Sequence, residues 1–261
     1  MLKFFRRIRQ SLLAENRTSK YTLYAIGEIF LVVIGILIAL QINNWNEAKK
    51  EEALTNKYYA GFINDLERDY EQLKTLLEVR KKQSKSARAL VDIIESKEVD
   101  IDSFYNYYYY IFPFYRFIPN SNTLEEVLNS SHLRFITDEV IKNRLLDLRS
   151  SYQSIRLNEE HVYEDRVAYL YNELTLDHIE FNGLFIANNG LIEIEEGTSF
   201  STSKDADIYR KDAEYFVNDR HFKSFLNLLD YNMVFVIPQV EAVMNECNEI
   251  IALIKKRMDN D

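Results

Sequence analysis

The four histidines of the chain are the side chains best suited to metal or acid–base chemistry. They are His132, His161, His178 and His221. A carboxylate-bridged metal site in a helical bundle uses Glu-x-x-His pairs on facing helices, but the residue three positions before each histidine is Asn or Thr. The sequence also contains no His-Glu-x-x-His motif and no pair of cysteines. It therefore predicts no metal site and no bound cofactor.

Two pairs of titratable residues share a helix face at i,i+4 spacing, namely His161 with Asp165 and Glu173 with Asp177. The chain has 41 Asp and Glu against 32 Lys and Arg, a net charge of −9. Such pairs are therefore typical of a solvated acidic face rather than of a catalytic site. Neither a glycine-rich phosphate loop nor a Gly-x-Ser-x-Gly motif occurs in the sequence. We expect a protein that is not an enzyme.

Cys247 is the single cysteine, so no internal disulfide can form. It lies on an apolar stripe of helical spacing near the end of the chain. This position favours a small buried hydrophobic side chain over a reactive nucleophile.

Glu28 is unusual because it lies in the most apolar stretch of the chain. Residues 21–42 would rise roughly 33 Å as a helix, close to the thickness of a bilayer core. Residues 29–40 have no polar side chain on any face, which disfavours a buried core helix of a soluble domain. The stretch is therefore predicted to be a transmembrane helix.

A carboxylate inside a membrane span is costly and usually faces protein or water. Glu28 could extend toward the interface, contact a second span, or take part in proton transfer. Gly27, Gly35 and Ala39 give the helix small faces that allow close approach of another helix. These three residues and Glu28 form the candidate intramembrane contact with a protein partner or a second copy of the chain.

The charges on either side of the span predict its orientation. Six basic residues precede it within residues 1–20, and three follow it by residue 57. The more basic side faces the cytoplasm, so residues 1–20 form a cytoplasmic tail against membrane lipid and residues 43–261 a periplasmic domain. The apolar stretch is longer than that of a cleaved signal peptide, which favours an uncleaved signal anchor. Residues 43–261 carry −13, which argues against nucleic-acid binding.

Apolar residues recur at helical spacing over most of the remaining chain, which predicts an all-α fold. Long helices are expected near 45–95, 137–180 and 219–258, and short ones near 121–131 and 206–217. An up-and-down bundle of three or four long helices would bury their apolar stripes. The clearest stripe contains Met233, Ile237, Val240, Met244, Cys247, Ile251, Ile254 and Met258. Pro238 should kink or end the last helix, and the turn residues near 184–195 predict a small β-hairpin.

The long helix after the span has a similar pattern of apolar residues at spacings of four and three. The predicted stripe is Tyr59, Ile63, Leu66, Tyr70, Leu73, Leu77, Ala87, Val91 and Ile94. Arg80 and Ser84 interrupt this stripe. The pattern predicts one face packed against a partner helix.

Residues 104–117 contain ten aromatic side chains in fourteen positions. Such a run could fill the core or cap the bundle, form a surface for a partner or membrane, or enclose a ligand. The candidate aromatic surface consists of Tyr107, Tyr108, Tyr109, Tyr110 and Phe114.

The stretch from Lys3 to Glu47 resembles the start of an uncharacterised bacterial family of single-span membrane proteins. The shared features are a basic leader, a span containing Gly27 and Glu28, and the motif Gln-Ile-Asn-Asn-Trp-Asn, which begins at Gln41. A later segment, TLEEVLNSSHLRFITDEVIKNRLL, agrees more loosely. The resemblance implies that Gln41, Asn43, Asn44 and Trp45 form an interface motif where the span leaves the bilayer. No activity is assigned to that family.

Together these patterns predict a single-pass protein of the bacterial inner membrane. The expected role is a membrane-anchored, non-enzymatic binding or structural subunit of an envelope complex. The alternative is a periplasmic helical bundle that senses a ligand near the aromatic run and signals through a partner span.

Overall fold

The computed structural model describes residues 18–171, 178, 185–188, 191–195 and 197–259. This part of the chain is mainly helical, as the sequence predicts. The α-helices are α1 Thr18–Ser96, α2 Ile101–Tyr108, α3 Asn122–Asn129, α4 Glu139–Leu170, α5 Ala206–Asn218 and α6 Arg220–Asp259. Short 3-10 helices cover Tyr109–Ile111 and His132–Phe135, and two strands cover Phe185–Asn188 (β1) and Leu191–Ile194 (β2).

The two strands pair antiparallel, with Phe185 opposite Ile194 and Asn188 opposite Leu191. They lie within residues 184–195, where the sequence predicts a hairpin. The turn residues 189–190 lie outside the described residues, as do most of residues 1–17 and 172–184. The predicted cytoplasmic tail falls largely outside the described residues. Helix α4 ends at Leu170 with Tyr171 as its C-cap, so the prediction that the second long helix extends to about residue 180 is wrong.

The chain divides into two compact units, residues 1–57 and residues 58–261. In the first unit, one helix is long and apolar enough to cross a membrane, judged by length and composition alone. Its apolar side chains between Ile29 and Ile42 are exposed around the whole helix. Apolar groups on every face are unfavourable in water and suit a lipid environment. The coarse prediction of one apolar N-terminal helix is therefore confirmed.

In the second unit, α1 and α6 run antiparallel beside each other. Four ion pairs mark their alignment: Glu67 with Lys255, Lys81 with Glu241, Arg88 with Asp230, and Glu95 with Lys223. Helix α4 packs against another side of α6, where Asn158 Nδ2 donates to Gln239 Oε1 at 2.6 Å. Three long helices thus enclose one core, within the range that the sequence predicts.

The stripe predicted for the last helix is largely correct. Met233, Val240, Cys247 and Ile254 are buried, whereas Met258 is 36% exposed. Helix α6 passes through Pro238 without ending there, so the predicted end of a helix at this residue is wrong. Pro238 lies on the exposed side of α6, where a carbonyl that loses its helical N–H partner can bond to water.

The stripe predicted for α1 is correct in part, because Tyr59, Leu66, Leu73 and Ala87 are buried. Ile63, Tyr70 and Leu77 are only half-buried, while Phe62, Leu76 and other neighbours are buried. The buried face also contains a set of polar residues: Asp65, Asp69, Arg80, Gln83, Ser84 and Ser86. A pattern based on hydrophobicity alone cannot place these side chains inside.

Candidate functional site

The predicted intramembrane contact lies on an open helix face. Glu28, Gly35 and Ala39 are seven and four residues apart, so they share one side of α1. A Cβ atom added at Gly27 or Gly35 would meet no atom within 4 Å. Another helix could approach closely here, and this contact stays a prediction.

The predicted interface motif forms local contacts on α1. Asn43 Nδ2 donates to Glu47 Oε1 at 3.1 Å, and Lys49 Nζ lies 5.1 Å from the centroid of the Trp45 ring. Gln41 and Asn44 are exposed. An exposed tryptophan beside a lysine is the combination that favours a membrane–water interface.

The predicted aromatic surface is wrong for two of its five residues. Tyr108 and Tyr109 are fully buried, Tyr107 and Tyr110 are half-buried, and Phe114 alone is strongly exposed. Tyr108 lies against Phe104, Phe112, Phe216 and Phe222 at centroid distances of 5.0–6.2 Å. The core alternative therefore holds for this part of the run, because α2 packs on α5 and α6 through these rings.

Two buried carboxylates of α1, which the sequence analysis missed, hold the segment before α3. Asp69 Oδ1 accepts from the backbone N of Asn120 at 2.7 Å and from its Nδ2 at 2.9 Å. Asp65 Oδ2 accepts from the backbone N of Thr123 at 3.0 Å. The cap residue of α3, Ser121, makes no side-chain capping bond. Asp65 therefore supplies from α1 the N-cap acceptor that α3 lacks.

Asp69 also connects α1 to the other two long helices. The hydroxyl of Tyr152 donates to Asp69 Oδ2 at 2.8 Å and lies 3.4 Å from Cys247 Sγ. Burial raises the pKa of Asp69 despite the donors from Asn120 and Tyr152. Burial likewise raises the pKa of Cys247 to about 11, so this thiol stays protonated. Cys247 is buried, as the sequence predicts.

A cavity of about 40 Å³ adjoins the two carboxylates. Its lining is mostly apolar and includes Phe62, Leu66 and Leu124. This volume accommodates one or a few water molecules. The cavity can hydrate Asp65 and Asp69 but has no room for a metabolite.

A second buried polar cluster surrounds Arg80. Its guanidinium binds both oxygens of Glu159, with Nε 3.0 Å from Oε1, and both side chains are about 4% exposed. Arg80 also donates to Gln83 Oε1 at 2.6 Å and to the carbonyl of Tyr115 at 3.0 Å. Gln83 Nε2 donates in turn to the carbonyls of Ile111 and Pro113. The cluster therefore fixes the irregular segment that follows the 3-10 helix.

Arg166 completes this cluster from α4. It donates to the carbonyls of Phe112 and Pro113 at 2.9 and 3.1 Å. Burial, together with the charge of Arg80, lowers the pKa of Arg166 to about 10. These carbonyls cannot bond within a helix because Pro113 lacks a donor and the backbone is irregular here. Arg166 satisfies both of them, and Gln83 also donates to the carbonyl of Pro113.

The four histidines lie apart, on different segments of the fold. Among the described residues, no group of three His, Cys, Asp or Glu side chains is arranged to hold an ion. His161 is exposed and lies 3.5 Å from Asp165, as a solvated face predicts. His178 Nδ1 lies 3.0 Å from Asp212 Oδ1, and its ring stacks on Tyr215. The pair Glu173 and Asp177 lies outside the described residues.

The outward side of α6 carries an apolar strip, which we call the outer stripe. It consists of Leu228, Tyr231, Val234, Phe235, Pro238 and Ala242. Tyr231, Val234 and Phe235 are each more than half exposed, and Leu228 is 40% exposed. The rings of Tyr231 and Phe235 meet edge to face at 5.2 Å. The sequence analysis assigned one apolar face to this helix and missed the second.

The outer stripe differs from the outward side of α1. In the part of α1 that belongs to the second unit, no large apolar side chain is among the strongly exposed ones. The neighbouring α4 exposes Leu157 close to Asn158, which contacts α6. Other exposed apolar side chains of the second unit, such as Ile118, Val140, Tyr171 and Ile208, lie elsewhere, whereas Leu228, Tyr231, Val234 and Phe235 stand together on α6. A concentrated patch is typical of an interaction surface.

The chain matches the model of one protein family, which is described as "Family of unknown function (DUF6090)", over residues 28–171. The matched range contains the motif that begins at Gln41, and it starts after the basic leader. No curated protein and no solved structure matches the chain. The comparison therefore identifies a family to which no activity is assigned.

Proposed function

The chain belongs to the family of unknown function DUF6090, and we propose that it is a membrane-anchored, non-enzymatic binding or structural subunit of a bacterial envelope complex. One span anchors it in the inner membrane, with the N-terminus in the cytoplasm and residues 43–261 in the periplasm. The proposal rests chiefly on the outer stripe of α6.

Exposed apolar side chains at this density favour contact with another macromolecule. Tyr231 and Phe235 stand out from α6 with more than half of their surface in solvent, and aromatic residues are enriched at the centres of protein interfaces. A lipid surface is the less favourable contact. Anionic head groups attract basic segments, whereas residues 43–261 carry −13.

The use of the buried polar groups supports a non-enzymatic role. A general base or a nucleophile must lie within hydrogen-bond reach of a substrate. Asp69 accepts bonds from Asn120 and Tyr152, and Glu159 is bound to Arg80 on both oxygens. These side chains are used to hold the loops between helices. Cys247 stays protonated behind the same core.

The flanking charges support the proposed orientation. Six basic residues precede the span and three follow it closely, in agreement with the positive-inside rule. A reporter that is active only outside the cytoplasm, fused after Asp261, tests this directly. We expect an active fusion, and a well-expressed but inactive fusion would reverse the orientation.

The binding role is tested by the mass of the solubilised particle. The full chain is extracted in mild detergent, and light scattering with detergent correction gives the mass of its protein component. We expect more than one chain per particle for the wild type. The double variant Tyr231→Ser/Phe235→Ser should reduce this mass, whereas Arg156→Ser on the far side of α4 should not. A particle containing a single chain of the wild type and nothing else would overturn the proposal.

The alternative role, a ligand-sensing bundle, requires a cavity large enough for the ligand. The cavity beside Asp65 and Asp69 measures about 40 Å³ and is not formed by the aromatic run. Its size suits water. This cavity therefore does not provide the ligand site that the sensor would need.

A further inference from the structure

We infer that the outer stripe of α6 binds the same stripe of a second copy of this chain, with the two α6 helices parallel. This inference rests on the proposed role as a binding subunit and identifies its partner. It concerns the second unit alone and does not depend on the orientation of the span.

The spacing of the outer stripe is that of a helix-pairing surface. Leu228, Tyr231, Phe235, Pro238 and Ala242 follow one another at intervals of three, four, three and four residues. This repeat keeps apolar side chains on one side of a helix over four turns. The opposite side of α6 has the same repeat and packs into the core of its own chain. Helix α6 therefore has two faces that can each pair with a helix, and the chain covers one of them.

The neighbours of the outer stripe are α1 on one side and α4 on the other. Asp230 of α6 binds Arg88 of α1 at 2.9 Å, and Asn232 donates to Asp165 of α4 at 2.8 Å. Side chains two residues apart on a helix, such as Asp230 and Asn232, point in directions that differ by about 200°. The outer stripe thus lies in a shallow surface between these two helices.

The two neighbours carry opposite charges beside the stripe. On the α1 side, Lys81 and Arg88 are paired with Glu241 and Asp230 of α6 itself, so the basic charge of this edge comes from the exposed Lys85. The α4 side presents Glu164, which is exposed, and Asp165, which His161 partly covers. One surface therefore has a basic edge, an apolar centre and an acidic edge.

This distribution of charge favours pairing with a second copy of the chain in the parallel arrangement. A twofold axis parallel to α6 places the basic edge of each copy against the acidic edge of the other. A twofold axis perpendicular to α6 places basic edge on basic edge and acidic edge on acidic edge. Like charges across an interface oppose association. The stripe is complementary to itself in the parallel arrangement alone.

Crosslinking distinguishes the two arrangements. In the parallel dimer each stripe residue faces its own counterpart, so Leu228→Cys and Ala242→Cys should each yield a covalent dimer with a short thiol-specific crosslinker. In an antiparallel dimer centred on the middle of the stripe, residue 228 of one copy faces residue 242 of the other. The two copies of residue 228 then lie about 21 Å apart along the helix. Only a mixture of the two variants would then crosslink. The full chain in detergent is used throughout, and both positions are exposed, so the substitutions should leave the fold intact.

The controls come from the same chain. The wild type reports the background from Cys247, which is buried, and Arg156→Cys places an exposed thiol on the other side of α4. Neither should give a dimer. Dimers from each single variant support the inference, and dimers only from the mixture overturn it. A multichain particle without any stripe crosslink also overturns it while leaving the binding role intact, whereas a single-chain particle overturns both.

A charge exchange gives an independent result. Lys85→Glu or Glu164→Lys alone should weaken the dimer by about fivefold or less, the range of exposed ion pairs. The double variant Lys85→Glu/Glu164→Lys should regain most of the affinity, because it restores opposite charges across the interface. Additive losses in the double variant would contradict the parallel arrangement. Lys74 lies on α1, about one and a half turns beyond the end of the outer stripe. Lys74→Glu therefore serves as the control for a change of net charge.

Discussion

The carboxylate of Asp65 in α1 accepts a hydrogen bond from the backbone N–H of Thr123, the second residue of α3, at 3.0 Å. Gly61, one turn before Asp65, allows this approach: a Cβ atom there would lie 2.8 Å from Thr123 Oγ1 and 2.9 Å from Cγ2. Helices α1 and α3 therefore come into contact where Gly61 has no side chain and where Asp65 caps the N-terminus of α3. This contact fixes where α3 begins.

We expect Asp65→Ala to lower the free energy of unfolding by about 1–2 kcal/mol, because α3 loses its N-cap acceptor and the part-buried N–H of Thr123 loses its partner. Thermal unfolding followed by circular dichroism of the detergent-solubilised chain measures the effect. The neighbouring Asn64→Ala, at an exposed position, should change little. Equal losses in both variants would contradict the role of Asp65 as a cap.

Gly61→Ala should destabilise the protein although alanine favours a helix over glycine by about 1 kcal/mol. The added methyl group would overlap Thr123, which cannot move far without losing its place at the start of α3. In the Thr123→Ala background the obstructing atoms are absent. There, Gly61→Ala should raise the free energy of unfolding instead of lowering it. The same loss from Gly61→Ala in both backgrounds would exclude the steric explanation.

Breaking the pair of Arg80 and Glu159 should cost about 3–5 kcal/mol, the usual result when one buried charge loses its partner. In Glu159→Gln the guanidinium groups of Arg80 and Arg166 would face each other without a carboxylate between them. Chemical denaturation measures the loss, and Glu160→Gln at the adjacent exposed position provides the matched control. The double variant Arg80→Met/Glu159→Leu should lose less than Glu159→Gln.

The pH dependence of stability should reveal Asp69. Its folded pKa is raised by burial, so the folded protein holds this proton more tightly than the unfolded chain does. The unfolding free energy contributed by Asp69 therefore falls as pH rises from below about 4, the unfolded value, through its folded pKa. Asp69→Asn lacks this titration. The difference in stability between variant and wild type should shift in favour of the variant as pH rises across that range, and a constant difference would contradict the raised pKa.

Cys247 should resist alkylation in the folded protein. Its thiol is buried and its pKa is raised to about 11, so the thiolate fraction at neutral pH is very small. Maleimide labelling followed by mass spectrometry should show unmodified protein under native conditions and complete labelling in denaturant. Rapid labelling of the native chain would show that the core around Tyr152 opens.

The sequence predicts the parts of the fold that hydrophobicity controls. The core stripe of α6 follows from its apolar repeat, and the position of Cys247 follows with it. The stripe of α1 was placed only in part, because Asp65 and Asp69 occupy buried positions that only their partners near α3 and on α4 make tolerable. Those partners are 51–83 residues away in sequence, so no local pattern could reveal them.

The candidate surfaces show a similar division. The aromatic run was recognisable, but its spacing did not tell buried Tyr108 from exposed Phe114, because both belong to the same dense stretch. The outer stripe was present in the sequence as a second three-and-four repeat on α6. It was missed because one helix was assigned one apolar face. Which of the two apolar faces is exposed depends on the side of α6 that packs into the core. Only the three-dimensional structure shows that side.

The antiparallel contact between α1 and α6 has a consequence for biosynthesis. The partners in this contact, Lys81 with Glu241 and Lys255 with Glu67, are 160 and 188 residues apart. At roughly 5–20 residues per second, a ribosome needs on the order of 10–40 s to make the chain between them. During that interval the part of the apolar face of α1 that α6 covers stays exposed. The nascent chain must be kept from aggregating until its last helix emerges, which makes it a natural client for a chaperone that shields helical apolar surfaces.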